Sequence, residues 1–100
     1  MFTVRVQPRA LAEIEAIHRY IAEKGSLAAA DRWYDGFIEA LIGLESMPTR
    51  CPRAPENDRF RDEVRHRIEG NYRALFTIRG NTVYIIRVLG RGQDWADPNQ

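Results

Sequence analysis

The chain has almost no cysteine, almost no lysine and no long apolar run. Cys51 is the one thiol in 100 residues, so no internal disulfide can staple the fold, and the usage suits a reducing compartment. No apolar stretch nears the ~18–20 residues that a membrane span needs. The N-terminus, MFTVRVQPRA, lacks the apolar core of a signal peptide. These features point to the cytoplasm and away from a membrane. Spaced His, Cys or carboxylate clusters are missing, so no metal site or other cofactor is expected. Nucleophile elbows, phosphate-cradling loops and HExxH motifs are missing too.

What is present fits one small domain spanning residues 1–100. A chain of this size buries ~60–65% of its unfolded surface, enough for a single core. Hydrophobic residues are 44% and charged residues 29%, the balance of an ordinary soluble protein. The net charge of +1 conceals a polarity along the chain. Residues 8–47 hold four basic and seven acidic side chains, whereas residues 59–91 hold eight arginines against Asp62, Glu63 and Glu69. The C-terminal half is therefore an arginine field, which attracts phosphate backbones or acidic protein segments.

The stretch FTVRVQ alternates apolar and polar residues at period two and reads as a half-buried strand. Pro8 suits the first turn of a helix, where a missing N–H costs nothing. Leu11, Ile14, Ile17, His18 and Ile21 then recur at three- and four-residue steps through residue 24. Gly25 stops that helix and Ser26 caps the next. Leu27, Ala30, Tyr34, Phe37, Leu41 and Leu44 keep helical spacing up to Met47, and Pro48 ends it. A two-residue break between long amphipathic helices implies an antiparallel hairpin. Residues 48–60, with three prolines and no periodicity, read as a loop. Strands follow at 64–69, 72–79 and 82–89, separated by Gly70-Asn71 and Gly80-Asn81, dipeptides suited to tight hairpins. The order β-α-α-β-β-β gives an α+β fold, with the helical hairpin on one face of a small antiparallel sheet.

Strand parity indicates what lines the other face. Arg65 and Arg67 point one way, opposite Val64, His66 and Ile68. Arg73 shares its side with Leu75, Thr77 and Arg79, and Arg87 falls with Val83, Ile85 and Leu89. On this reading Arg5, Arg65, Arg67, Arg73 and Arg87 converge on one open surface, with Arg91 at its edge. Arg87 interrupts an apolar run, so it requires a carboxylate, an open face or a ligand. His18 and His66 read as structural, Cys51 as a neutral surface thiol, Tyr34 as core and Trp33 as the margin of that core.

The element order, the helix pattern PRALAEIEAIHRYIAEKG, the ending LIGLESMP, the strand NYRALFTI and the closing VYIIRVLGRGQDW together resemble the RelE/ParE superfamily. These are toxins, often called plasmid stabilisation proteins, of bacterial type II toxin–antitoxin modules. The resemblance covers nearly the whole chain. The long hairpin, 8–47, and the ending RVLGRGQDW look more like ParE, although Gly90 and Gln93 depart from the ParE pattern. A ParE-like reading implies a growth inhibitor that poisons DNA gyrase and is not itself an enzyme. Arg5, Arg73, Arg87, Arg91 and Trp95 are then the expected target- or antitoxin-binding residues.

The alternative that the resemblance implies is a RelE-like endoribonuclease that cuts mRNA on the ribosome. Arg65, Arg67, Arg73 and Arg91 would then be catalytic, stabilising the phosphate transition state. Arginine at 65 and 67 is a poor proton-transfer group, and Trp95, nearest to the aromatic expected after the last arginine, is neither acid nor base. Both toxin readings imply a cognate antitoxin in a hetero-oligomer, with an extended acidic, amphipathic segment folding onto the toxin. A third reading is a non-toxic nucleic-acid-binding module, recognisable by salt-sensitive binding.

Overall fold

Pro8 and Ser26 set the helix starts, as their chemistry requires. In the computed structural model, which describes residues 1–90, the elements run β1 (Thr3–Val6), α1 (Pro8–Lys24), α2 (Leu27–Ile42), β2 (Arg65–Glu69), β3 (Tyr72–Arg79) and β4 (Thr82–Gly90). Ser26 Oγ accepts the Ala29 N–H at 3.0 Å, satisfying one of the orphan donors at the start of α2. α2 stops at Ile42, earlier than its apolar spacing predicts. The chain tightens into a 3₁₀ turn at Gly43–Glu45, where the Phe2 N–H claims the Glu45 carbonyl at 2.9 Å. Met47 then turns the chain in the left-handed region at φ 52°.

The buried stripe of α2 also differs from the expected one. Ala30, Phe37, Ala40 and Leu41 are buried, while Leu27 is 62% exposed and Tyr34 faces solvent. Trp33 takes the place expected of Tyr34, stacking on Phe37 at 5.2 Å and meeting Tyr72 edge-on at 5.4 Å. Tyr34 instead lies edge-on to His18 at 6.0 Å. His18 bonds Asp31 at 2.9 Å, tying α1 to α2.

The sheet order is β1-β4-β3-β2. β2, β3 and β4 form the expected antiparallel meander, and β1 joins β4 in parallel, with Val6 opposite Ile85. A parallel neighbour needs a long crossover, which the two helices supply. Each meander turn begins with a glycine in the left-handed region, Gly70 at φ 60° and Gly80 at φ 59°, followed by asparagine as in type II′ hairpins.

The main core lies between the sheet and the helices: Ala10, Ile14, Phe37, Leu41, Leu44, Ala74, Phe76, Val83, Ile85 and Val88. Full burial of side chains such as Ile14, Phe37, Phe76 and Ile85 contributes ~1.5–3 kcal/mol each. A second, smaller core sits on the outer face, where Ala54, Val64, Leu75 and Leu89 pack with Phe60 and Ile86. The long connection between α2 and β2 therefore folds back over one half of the outer face. Its anchors are the Ala54 N–H to the Val64 carbonyl, 2.9 Å, and the His66 N–H to the Pro52 carbonyl, 3.1 Å. Asn57 Oδ1 adds a bond from the Val64 N–H at 2.7 Å.

One irregularity decides where the arginines go. Phe76 pairs with Ile85 but Leu75 pairs with Arg87, so Ile86 is an extra residue in β4. A bulge of this kind resets the side-chain alternation of the strand. The predicted row Val83, Ile85, Arg87 and Leu89 is therefore split: Val83 and Ile85 face the helices, while Leu89 joins the outer core.

Candidate functional site

The arginines expected to converge do not meet on one surface. Arg65 lies opposite Phe76 and Arg67 opposite Ala74, two residues of the helix-facing core, so both sit on the helix side at the β2 edge. Arg65 donates Nε to Glu63 Oε1 at 2.9 Å and Nη1 to the Thr49 carbonyl at 3.1 Å and the Cys51 carbonyl. It pins the connection that follows α2. Arg67 pairs with its strand neighbour Glu69 at 3.5 Å, beside Gly36 and Ala40 of α2 and Gly43 of the turn that follows it. Burial pushes the Cys51 thiol up, against the opposing pull of Arg67 and Arg65, so a reactive thiolate is disfavoured there.

Arg73 lies on the opposite face and is only 3% exposed. Its guanidinium grips Glu56 through two nitrogens, Nη1 to Oε1 at 2.9 Å and Nη2 to Oε2. Nη1 also reaches His66 Nδ1 at 3.2 Å. Glu56 is itself buried, carried in by the connection over the outer face. A carboxylate held this way supplies the compensation a buried guanidinium requires. Burial, and then the Arg73 charge, hold the His66 imidazole below its usual range, so it stays neutral and accepts from Arg73.

Arg87 is 6% exposed and finds its carboxylate on α1. Its Nε donates to Glu13 Oε2 at 2.8 Å, and the Val88 N–H donates to Glu13 Oε1 at 2.9 Å. β1 pairs with β4 only as far as Ile85, so Glu13 takes up a backbone donor that no neighbouring strand reaches. Beside this contact a groove of about 440 Å³ runs between α1 and the end of β4, lined by Ala16, Ile17, Tyr20, Tyr72, Val88 and Gly90 with Glu13. Arg87 therefore pairs opposite Leu75 on the outer face, as expected, but it does not stand open there: at the edge that β1 leaves uncovered it is buried against Glu13 of α1.

Among the described members of the set, Arg5 alone is exposed on the uncovered half of the outer face. It lies opposite Tyr84, which lies opposite Thr77. Arg91 and Trp95 fall outside the described residues. Two residues that sequence reasoning passed over turn out to be central. Glu13 had a readable signal, because it occupies a core-facing step of the stripe Ala10, Ile14 and Ile17. Glu56, in a proline-rich stretch without periodicity, had none.

No described group of three or more His, Cys, Asp or Glu is placed to hold a metal ion. No described helix is long and apolar enough to cross a membrane. The chemistry available is that of fixed positive charge: two arginines neutralised internally and others at the rim.

The architecture is a hairpin of helices laid over one face of a small mixed sheet. It is similar to a solved structure described as the chromosomal ParDE toxin–antitoxin system from P. aeruginosa, with 17% identity and a TM-score of 0.75 over 90% of this chain and 96% of that one. The family model for the ParE toxin of type II toxin–antitoxin systems, parDE, matches residues 4–95, and the chain belongs to that family. Among individual curated proteins none matches the sequence.

Proposed function

We propose that this chain is the growth-inhibiting toxin of a type II module, that it acts by poisoning DNA gyrase rather than by cutting RNA, and that a cognate antitoxin neutralises it. The observation that carries the choice is the burial of Arg73. A ribonuclease of the RelE kind would need that guanidinium free to meet a scissile phosphate. Here Glu56 occupies both of its outer nitrogens beneath the connection that packs on the outer face. Arg65 and Arg67 lie on the other side of the sheet, so the three guanidinia do not surround a common point. An electrostatic transition-state site requires donors that converge on one position, and this arrangement lacks that convergence.

The groove between α1 and β4 suits the antitoxin. It is lined mainly by apolar side chains, lies against a stretch of β4 that β1 leaves unpaired, and is bordered by the Arg87–Glu13 pair. The apolar side of an amphipathic segment matches such a surface.

Induced expression of the chain without its antitoxin tests the reading. Growth arrest with accumulated gyrase–DNA cleavage complexes is the expected result. Cleavage of ribosome-bound mRNA with gyrase unaffected would overturn it in favour of the endoribonuclease. Unimpaired growth at high expression would remove both.

A further inference from the structure

The uncovered half of the outer face has a composition unlike the rest of the molecule. Three strands place their outward residues there in two cross-strand rows: Arg5, Tyr84 and Thr77, then Thr3, Thr82 and Arg79. Gln7 and Ile86 continue the surface, and with Thr77, Arg79 and Tyr84 they line a shallow concavity of about 340 Å³. None of these eight residues is acidic, and seven carry a hydrogen-bond donor on the side chain.

Among the described residues the carboxylate that bonds the patch is Asp62, which accepts from Arg79 and sits on the connection before β2. Donation to Asp62, and then the Asp62 charge itself, hold the Arg79 guanidinium in its charged form, with Tyr84 a lesser contributor. The Arg5 side chain makes no hydrogen bond or ion pair with the described residues and is exposed. Adjacent strands lie about 5 Å apart, so the Tyr84 ring has an arginine-bearing strand on either side. An aromatic ring between guanidinia on a sheet surface is the arrangement on which successive bases stack while their phosphates meet fixed charge.

We infer that this half-face binds single-stranded nucleic acid, with a base on Tyr84 and flanking phosphates on Arg5 and Arg79. The occupant follows from charge and shape together. Guanidinia on both flanks with no acid among the strand residues complement a phosphodiester backbone, and the ring supplies a sequence-tolerant contact. This site is distinct from Arg73 and Arg87, whose carboxylates are internal, and the inference stands whether or not gyrase is the target.

The test uses the full chain and a fluorescently labelled DNA strand of about 12 nucleotides, a length matched to single-strand sites. Anisotropy should rise on binding. With two phosphate contacts the affinity should fall about sevenfold between about 50 and about 200 mM salt. Arg5→Glu, a change at an exposed position, should weaken binding at least fivefold, and Tyr84→Leu should weaken it about five- to a hundredfold through lost stacking. Arg19→Glu on the opposite, helical side should leave it unchanged, with circular dichroism confirming that each variant is folded. Absence of binding at low salt would overturn the inference. Equal loss in Arg19→Glu would do the same, because the attraction would then be diffuse. Preference for a polyglutamate peptide over the DNA strand would reassign the surface to a protein partner.

Discussion

The outer face of the sheet is one surface in two states. Under the connection between α2 and β2, Arg73 is sealed against Glu56, with His66 alongside and Val64, Leu75 and Leu89 excluding water. On the uncovered half, Arg5 stands in solvent beside Tyr84. Both arginines belong to the same face and differ only in what lies above them. The contrast shows that a cluster of arginines in sequence does not define a site: the residues that cover the strands decide which charges remain available. A guanidinium under cover becomes a structural tie, and one left open is a handle for something else.

Breaking the covered half should give the largest effect. Glu56→Ala leaves Arg73 buried without its carboxylate and should cost about 3–5 kcal/mol, read as a fall in the denaturant midpoint at unchanged slope. Pairing Glu56→Leu with Arg73→Met should restore much of that loss, since an apolar pair of similar volume avoids the desolvation of two charges. A double variant no more stable than Glu56→Ala would mean that the pair does more than hold the connection down.

Glu13→Ala comes next, at about 2–3 kcal/mol, because it removes charge-assisted bonds to Arg87 and the acceptor of the Val88 N–H. Hydrogen exchange at Val88 should accelerate with it. If exchange there were unchanged, another group would be satisfying that donor.

A smaller effect is expected from pH. The folded-state pKa of His66 is lowered by burial and by Arg73. A base lowered in this way binds fewer protons folded than unfolded, so its contribution is present above the ordinary value of 6.5 and is lost as pH falls through the lowered one. Thermal unfolding should therefore soften on acidification below 6.5, and His66→Gln should flatten that part of the profile. Identical profiles for the two proteins would exclude His66 as its source. Smallest of all, Arg5→Ala should leave the unfolding midpoint where it is, which completes the contrast with the covered half.

Much of the fold was legible in the sequence because local chemistry dictated it. Pro8, Ser26 and the two Gly-Asn dipeptides mark element ends through φ preference and capping, and those boundaries hold to within a residue. The early end of α2 was not legible, because the Phe2 bond to the Glu45 carbonyl is a contact between distant segments. Nor was the arrangement of the arginines. Parity placed Arg73 on the correct side, since β3 is regular, but one extra residue at Ile86 broke the row predicted for β4, turning Val83 and Ile85 to the helices and leaving Arg87 and Leu89 on the outer side. Tyr34 and Trp33 exchanged roles because neighbouring helical positions differ by about 100°, so a small rotation of the helix chooses between them.

The parallel pairing of β1 with β4 also has a consequence for the timing of synthesis. Among the described residues β1 has as its hydrogen-bonded neighbour β4, the strand made after all the others, and Glu13 finds Arg87 across 74 positions of chain. Such non-local contacts close late, so a nascent chain shorter than β4 holds a helical hairpin with no completed sheet to lie on. Stalled chains ending at residue 80 should be cut rapidly by protease, and chains carried past β4 should resist. Any surface that depends on the finished sheet would then form only after β4 has emerged.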